Sequence, residues 1–415
     1  MTMSRICVRA ITYSIDLNKI TNKSYKDKVQ NDIEALKFSF ENNGIFVRTI
    51  RFNILPIKQE ERLEKFLFLK RITVLSELCD LAGIRWFNIA FDLINLPKKD
   101  VQIITSIGYD IINRFSNSFI NFIVADDENV NTFAAKQCAQ LILDISKLSD
   151  NGYDNFRVGV SLNPNENTPF FPFSYGLKDY SFSIALETTQ PIIEVLRNSK
   201  QEDLEDKRKE IKNAINEIAL QIDTISKSVS EEYSINYGGQ DLSLAPFPDD
   251  NISVIEILHM LGLDDIGSNG TLFLTAYLTG ILKDVFKENE IKSAGFNGVM
   301  YSLLEDHLMC EANDKKLLTI DKIISYSTLC GCGLDMVPIP GNILIEELAS
   351  IILDVAAVAI KLKKPLGVRV LPIPNKEENE FTSFDMDFLT NTRILKLKNL
   401  SLNSNLFNDN RFSFL

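Results

Sequence analysis

The sequence predicts an α/β protein whose ten mostly parallel strands fall into two antiparallel half-sheets of five. Three observations predict it. Ten short runs rich in β-branched and aromatic residues punctuate the 415-residue chain. Amphipathic helical patterns separate most of them, and such alternation joins parallel strands by crossover helices. One connection differs: Asn163-Pro-Asn-Glu-Asn-Thr-Pro-Phe-Phe-Pro-Phe-Ser-Tyr-Gly176 carries three prolines after Asn163 and no helical period. A parallel pair needs a long crossover, so the chain is expected to reverse direction at this ordered loop.

The first half-sheet is expected from strands near 5–16, 45–55, 84–93, 118–126 and 155–163. Helices near 25–43, 58–82, 98–116 and 129–148 separate them, with Gly44 as a C-cap. The second is expected from strands near 180–188, 233–245, 295–306, 329–338 and 366–373. Between these fall one or two helices over 189–232, then helices near 251–262, 270–290, 314–327 and 343–362. Residues 1–375 read as one α/β unit, with halves of about 1–163 and 180–375. Residues 376–415 are weakly patterned and read as a tail wrapping its surface, and no internal repeat is visible.

Composition narrows the function classes. The net charge of −12 disfavours phosphate backbones, so no nucleic-acid partner is expected. The N-terminus, Met-Thr-Met-Ser-Arg-Ile-Cys-Val-Arg-Ala, lacks a long apolar core of a secretory signal. The run from Ile266 to Leu282 is broken by Gly, Ser, Asn and Thr, and falls short of a membrane span. Six scattered cysteines form no disulfide framework. A protein of the reducing cytoplasm is expected, with a small-molecule ligand and no membrane partner. An apolar-rich chain of this size can form a homodimer, although no signature sets the stoichiometry.

Four motifs stand out in the second half. They are Gly238-Gly-Gln-Asp-Leu-Ser-Leu-Ala-Pro-Phe-Pro248, Gly267-Ser-Asn-Gly-Thr271, Gly295-Phe-Asn-Gly298 with Glu305-Asp306, and Cys330-Gly-Cys-Gly-Leu-Asp-Met-Val-Pro-Ile-Pro-Gly341. Together they resemble an uncharacterised family often labelled "PFL family protein", most closely over about 237–374 and more thinly over 1–190. That resemblance implies a fold similar to pyruvate formate-lyase: a ten-stranded α/β barrel of two antiparallel five-stranded halves surrounded by helices. It implies no activity. The glycyl-radical relatives carry Arg-Val-x-Gly-Tyr near the C-terminus. The nearest stretch here, Pro365-Leu-Gly-Val-Arg-Val-Leu-Pro372, has the wrong order. Radical chemistry by that route is not expected.

The candidate chemistry lies in the same motifs. Cys330 and Cys332 are two apart, so in an extended segment both thiols face one side, as nucleophile and ligand or as packed core. With His307 and Cys310 they lack the paired spacing of a zinc site. Asp16, Asp92, Asp126 and Glu187 fall near predicted strand ends, where acids are also ordinary turn formers. Asp241, Glu305, Asp306 and Asp335 do likewise in the second half. Carboxylates gathered at strand ends hold Mg²⁺ or Ca²⁺, or act as acid and base. The reading that follows is an enzyme acting on a small anionic or carbonyl-bearing metabolite. Cys330, Asp335, Asp241 and Glu305 would be catalytic, and Ser243, Asn269, Thr271 and Asn297 would bind substrate. Asp241, Glu305 and Asp306 would hold a divalent cation. The alternative is a binding or structural protein without turnover.

Overall fold

The computed structural model describes residues 6–57, 65–248, 252–398, 400–409 and 411–414. Strand and helix alternate as the patterns require. The first half runs β1 (Cys7–Ile15), α1 (Lys23–Asn42), β2 (Phe46–Val47), β3 (Ile50–Ile57), α2 (Lys65–Ala82), β4 (Phe87–Asp92), α3 (Lys98–Arg114), β5 (Ser118–Ala125), β6 (Asn129–Val130), α4 (Thr132–Ile145) and β7 (Val158–Leu162). The second runs β8 (Ser181–Leu186), α5 (Thr189–Asn198), α6 (Leu204–Tyr233), β9 (Asn236–Asp241), α7 (Val254–Met260), α8 (Thr271–Asn289), α9 (His307–Asp314), α10 (Ile320–Tyr326), β10 (Gly333–Pro340), α11 (Ile345–Lys361), β11 (Leu366–Ile373) and β12 (Phe412–Ser413). Residues 58–64 and 251 of two predicted helices, and residue 5 of the first predicted strand, lie outside the described residues.

One large sheet carries the fold, in the order β10-β11-β7-β5-β4-β3-β1-β8-β9. Its centre, β7-β5-β4-β3-β1, is wholly parallel, as expected of the first half. β8 lies antiparallel to β1 and β11 antiparallel to β7, so the second half flanks the first on both sides. Each flank adds a parallel neighbour, β9 beside β8 and β10 beside β11.

Two expectations change here. The strand expected at 295–306 does not form, because Gly295 and Asn297 take left-handed backbone, at φ 71° and 49°, which interrupts an extended run. The segment makes only single bridges, Gln240 to Ser293, Leu244 to Val299 and Ser302 to Asp335. The sheet is therefore not closed into a ten-stranded barrel. The second change is α9, which the sequence reading missed; Asp306 caps it by accepting from the Leu308 and Met309 amides.

Helices cover the outer face. Along α6, Ile211, Ile215, Ile218, Ile222, Ile225 and Val229 recur at helical spacing and are buried. Each such side chain contributes roughly 1.5–3 kcal/mol on burial. The tail adds Phe384, Leu389, Ile394, Leu395, Leu397 and Phe407 to the main core.

The join between halves folds onto the inner face of the sheet. Thr168 bridges Tyr175, and Phe170, Phe171, Phe173 and Ser174 are buried. Ser174 Oγ donates to Asn53 on β3 at 2.7 Å, while its carbonyl accepts from Asn88 on β4 at 3.0 Å and Asn121 on β5 at 3.4 Å. Phe173 packs over Gly159 and Gly367, where a β-carbon would meet its ring. A buried loop needs partners for its polar backbone, and the inward amides of the strands supply them.

Candidate functional site

A cavity of about 600 Å³ opens at the N-terminal ends of β1, β3 and β4. It continues into a smaller chamber of about 80 Å³ beneath the loop. Arg9, Arg51, Trp86, Phe156 and Glu305 line both. Arg48 and Arg85 line the outer part, and Asp335 and Arg369 the inner.

Local strand geometry aims these side chains. Arg51 pairs with Thr12 in register, two residues before the inward Asn53, so alternation turns it inward. Arg9 falls at a register shift, where Val8-Arg9-Ala10 faces only Leu186 and Ala185 of β8. Asp335 lies at another: Leu334 pairs with Val368 and Val337 with Val370, leaving Asp335 and Met336 opposite Arg369. Such bulges re-aim a side chain that strict alternation would point elsewhere. Glu305 ends a single 3₁₀ turn, Leu303–Glu305, fixed from behind by the Asp306 cap.

Inside the cavity the charges fall into two groups. Arg369 donates to Asp335 through Nε at 2.6 Å and Nη2 at 2.9 Å, and to Glu305 Oε2 at 3.2 Å. Ser302 Oγ donates to the same Glu305 oxygen at 2.5 Å. Burial pushes the Asp335 carboxyl up, opposed by Arg369. The second group is cationic. Arg48 pairs with Glu187 and lies over Phe247. Arg9 donates to the Pro246 carbonyl at 2.8 Å, Arg85 lies over Trp86, and Arg51 lies over Phe171. Among the described residues none of these last three meets a carboxylate within salt-bridge distance. Arg51 Nε is buried without any hydrogen-bond partner. Burial, and next the repulsion of Arg9, push the Arg51 guanidinium down to about 9, so it remains charged at neutral pH.

Of the residues expected from sequence, Glu305 and Asp335 reach this cavity. The others do not line it. Asp241 is fully buried and accepts from Ser243 N and Oγ, Phe296 N and Asn297 N, knitting β9 to the 293–298 segment. Burial pushes its carboxyl up to about 6 against those donors. Ser243 Oγ also accepts from the Gly298 amide, and Asn297 Oδ1 from the Leu242 amide. Asp306 holds Ser253 Oγ, Val254 N and the start of α9. Asn269 is exposed on the loop before α8, and Thr271 donates to the Ser268 carbonyl.

The proposed cation set of Asp241, Glu305 and Asp306 is therefore not assembled. The oxygens of Asp241 and Asp306 are occupied by protein donors, and the Glu305 carboxylate, though next to Asp306 in sequence, accepts from Ser302 and Arg369 instead. Among the described residues no three His, Cys, Asp or Glu side chains are grouped to hold a metal ion. Cys330 and Cys332 are free thiols buried in separate apolar clusters. Cys330 is the more acidic, because it accepts from Cys332 and faces Lys364, and Cys332 keeps its proton. Neither thiol lines the cavity.

The arginines escaped the sequence reading. Their signal was present: Arg51 and Asn53, Trp86 and Asn88, and Phe119 and Asn121 set polar and aromatic residues two apart in strands expected to be covered on both faces.

Among the described residues no helix is long and apolar enough to cross a membrane. The family model described as "Uncharacterised ACR (DUF711)" matches residues 1–391. A UPF0210 protein of Pyrobaculum aerophilum is 28% identical over 401 residues, covering 90% of this chain and 86% of that protein. UPF0210 proteins of Pyrobaculum islandicum and Clostridium perfringens are 32% and 27% identical over 265 and 295 residues. Those matches cover 63% and 69% of this chain, and 58% and 64% of the two relatives, under two thirds of their length. The expectation of an uncharacterised family holds, while the likeness to pyruvate formate-lyase gains no support from these matches. With 391 of its residues matched, the chain belongs to the uncharacterised DUF711 family.

Proposed function

We propose that this protein is an enzyme that takes a small organic anion into the arginine-lined cavity and moves a proton on it through Glu305. The observation carrying this reading is Arg51, charged, with a buried Nε and no carboxylate partner among the described residues, beside Arg9 and Arg85. An unpaired buried charge is unfavourable, so an anion from solution that fills this gap is bound with a large electrostatic gain. Glu305 is the proton carrier because its Oε2 is fixed by Ser302 and Arg369, while Oε1 makes no hydrogen bond among the described residues. The six free cysteines fit the reducing cytoplasm as the place of action.

Melting of the wild type and of Arg51→Gln with acetate, succinate, inorganic phosphate and glycerol 3-phosphate tests the binding half. A ligand at about 100 times its Kd stabilises by about 2.7 kcal/mol. The wild type is expected to gain this stability and the variant to lose it; a wild type indifferent to every anion refutes the proposal. Turnover is read by NMR on a metabolite extract incubated with the wild type and with Glu305→Gln. A reading without turnover is favoured by the sealed thiols and the locked Asp335, and consumption of no component would select it.

A further inference from the structure

The cavity also states how much charge its ligand carries. We infer that the ligand is a dianion with both charges at one end, either a phosphate monoester or a malonate-type dicarboxylate, whose neutral end enters the inner chamber. The inference rests on the proposed anion-binding role and adds the charge and orientation of the ligand.

The charges on the walls support two negative units. Arg48 is neutralised by Glu187. Lys37 and Glu41 are both exposed at the rim and offset each other. Arg369 faces two carboxylates, Asp335 and Glu305, which leaves that triad one negative charge in excess. Against it stand Arg9, Arg51 and Arg85, none with a carboxylate partner among the described residues. Among the described residues two positive charges remain, those of Arg9 and Arg51 at the half-buried wall being felt more strongly than that of Arg85 at the exposed rim. In a low-dielectric pocket an uncompensated charge is felt at several times its strength in water, so a ligand that cancels both is selected over one that cancels a single charge.

The two chambers set the orientation. Arg48 and Arg85 line the larger space alone, Arg9 and Arg51 stand between the two, and the smaller is walled by Phe119, Phe156, Phe170, Phe171 and Met300 with the net-negative triad of Arg369, Asp335 and Glu305. A space of about 80 Å³ admits only a few heavy atoms, a water occupying roughly 30 Å³ of liquid. Its aromatic walls disfavour a second charged group, and the Glu305 carboxylate repels one. The anionic end therefore stays with the arginines, and a compact neutral end meets Glu305.

Two matched pairs test the inference by calorimetry on the full chain at pH 7.5. Methylmalonate is compared with its monoamide, and glycerol 3-phosphate with glycerate. At least a tenfold tighter Kd for the dianion in either pair supports the inference, and the pair showing it identifies carboxylate or phosphate as the second charge. Arg51→Gln and, on the exposed side, Arg85→Gln should each reduce that preference about tenfold while leaving the melting temperature without ligand unchanged or raised. Equal affinity within each pair overturns the dianion while leaving anion binding intact. Binding of no probe overturns both.

Discussion

Arg369 grips Asp335 at two points, Nε to Oδ1 at 2.6 Å and Nη2 to Oδ2 at 2.9 Å, across the paired strands β11 and β10. Both residues are almost wholly buried, at 4% and 3% exposure. Continuing the Leu334–Val368 register sets Asp335 opposite Arg369, and the bulge that follows at Met336 shifts the ladder to Val337–Val370. The pair holds the floor of the cavity and, through Nη2, orients Glu305.

Removing one partner of a buried ion pair leaves the other charge stranded. Asp335→Asn is expected to destabilise the fold by about 3–5 kcal/mol. Asp335→Leu combined with Arg369→Met should recover part of that loss, since Glu305, still held by Ser302, is then the one carboxylate of the triad left without its cation. Urea unfolding of the three proteins measures it, and a single variant as stable as the wild type would contradict the arrangement.

Arg51 behaves oppositely, because among the described residues its charge has no partner to strand. Arg51→Met is expected to change stability by less than about 1 kcal/mol, or to raise it. A loss above that range would mean that a protein group, rather than a ligand, satisfies the guanidinium.

Asp241 makes stability depend on pH. Its carboxyl is raised by burial to about 6, above the unfolded value near 4. A raised carboxyl contributes stability that is complete below the unfolded value and is lost as pH rises through the folded one. Up to about 3 kcal/mol should disappear between pH 4 and 6 from this group. Asp241→Asn should flatten that slope and lose about 1–3 kcal/mol by setting its amide NH2 against the Phe296 amide donor while its oxygen keeps the other three. Unfolding at stepped pH checks both; parallel curves for the two proteins would discount Asp241.

Gly298 and Gly331 lie back to back. A β-carbon on Gly298 would stand 2.9 Å from the Gly331 backbone, which cannot move aside as a side chain can. Gly298→Ala is expected to destabilise by about 1–3 kcal/mol. Gly280, inside α8 and no nearer than 3.7 Å to Arg208, is the contrast. There alanine should stabilise by about 0.5–1 kcal/mol. Thermal melting distinguishes them, and equal effects would dismiss the close approach.

The thiols of Cys330 and Cys332 should resist alkylation in the native protein and react on unfolding. Cys330→Ala should leave the Kd for any bound anion within about twofold, since neither sulfur lines the cavity. Rapid native labelling read by mass spectrometry, or a large change in Kd, would return the thiols to the site.

Much of the framework was legible from local pattern. The five parallel strands of the first half, the amphipathic helices and the helix-free join at 163–176 follow from side-chain periodicity and proline chemistry, which act between neighbours in sequence. Glu305 and Asp335 were legible as acids in glycine-bounded motifs. Asp241, Ser243 and Asn297 looked alike for the same reason, yet they serve the backbone. Whether a carboxylate meets protein amides or open space depends on segments more than fifty residues away.

The sequence by itself determined the α/β alternation, the reversal at the proline-rich loop and the acids of the second half, because each depends on short-range spacing. Only the tertiary structure decided the cavity. Arg9 reaches it through a bulge that depends on pairing with β8, Asp335 through its register with β11, and Arg51 through its register with β1. It left Cys330 and Cys332 sealed and, among the described residues, three guanidinium groups without carboxylates, a balance of charge that arises only when distant strands share one face.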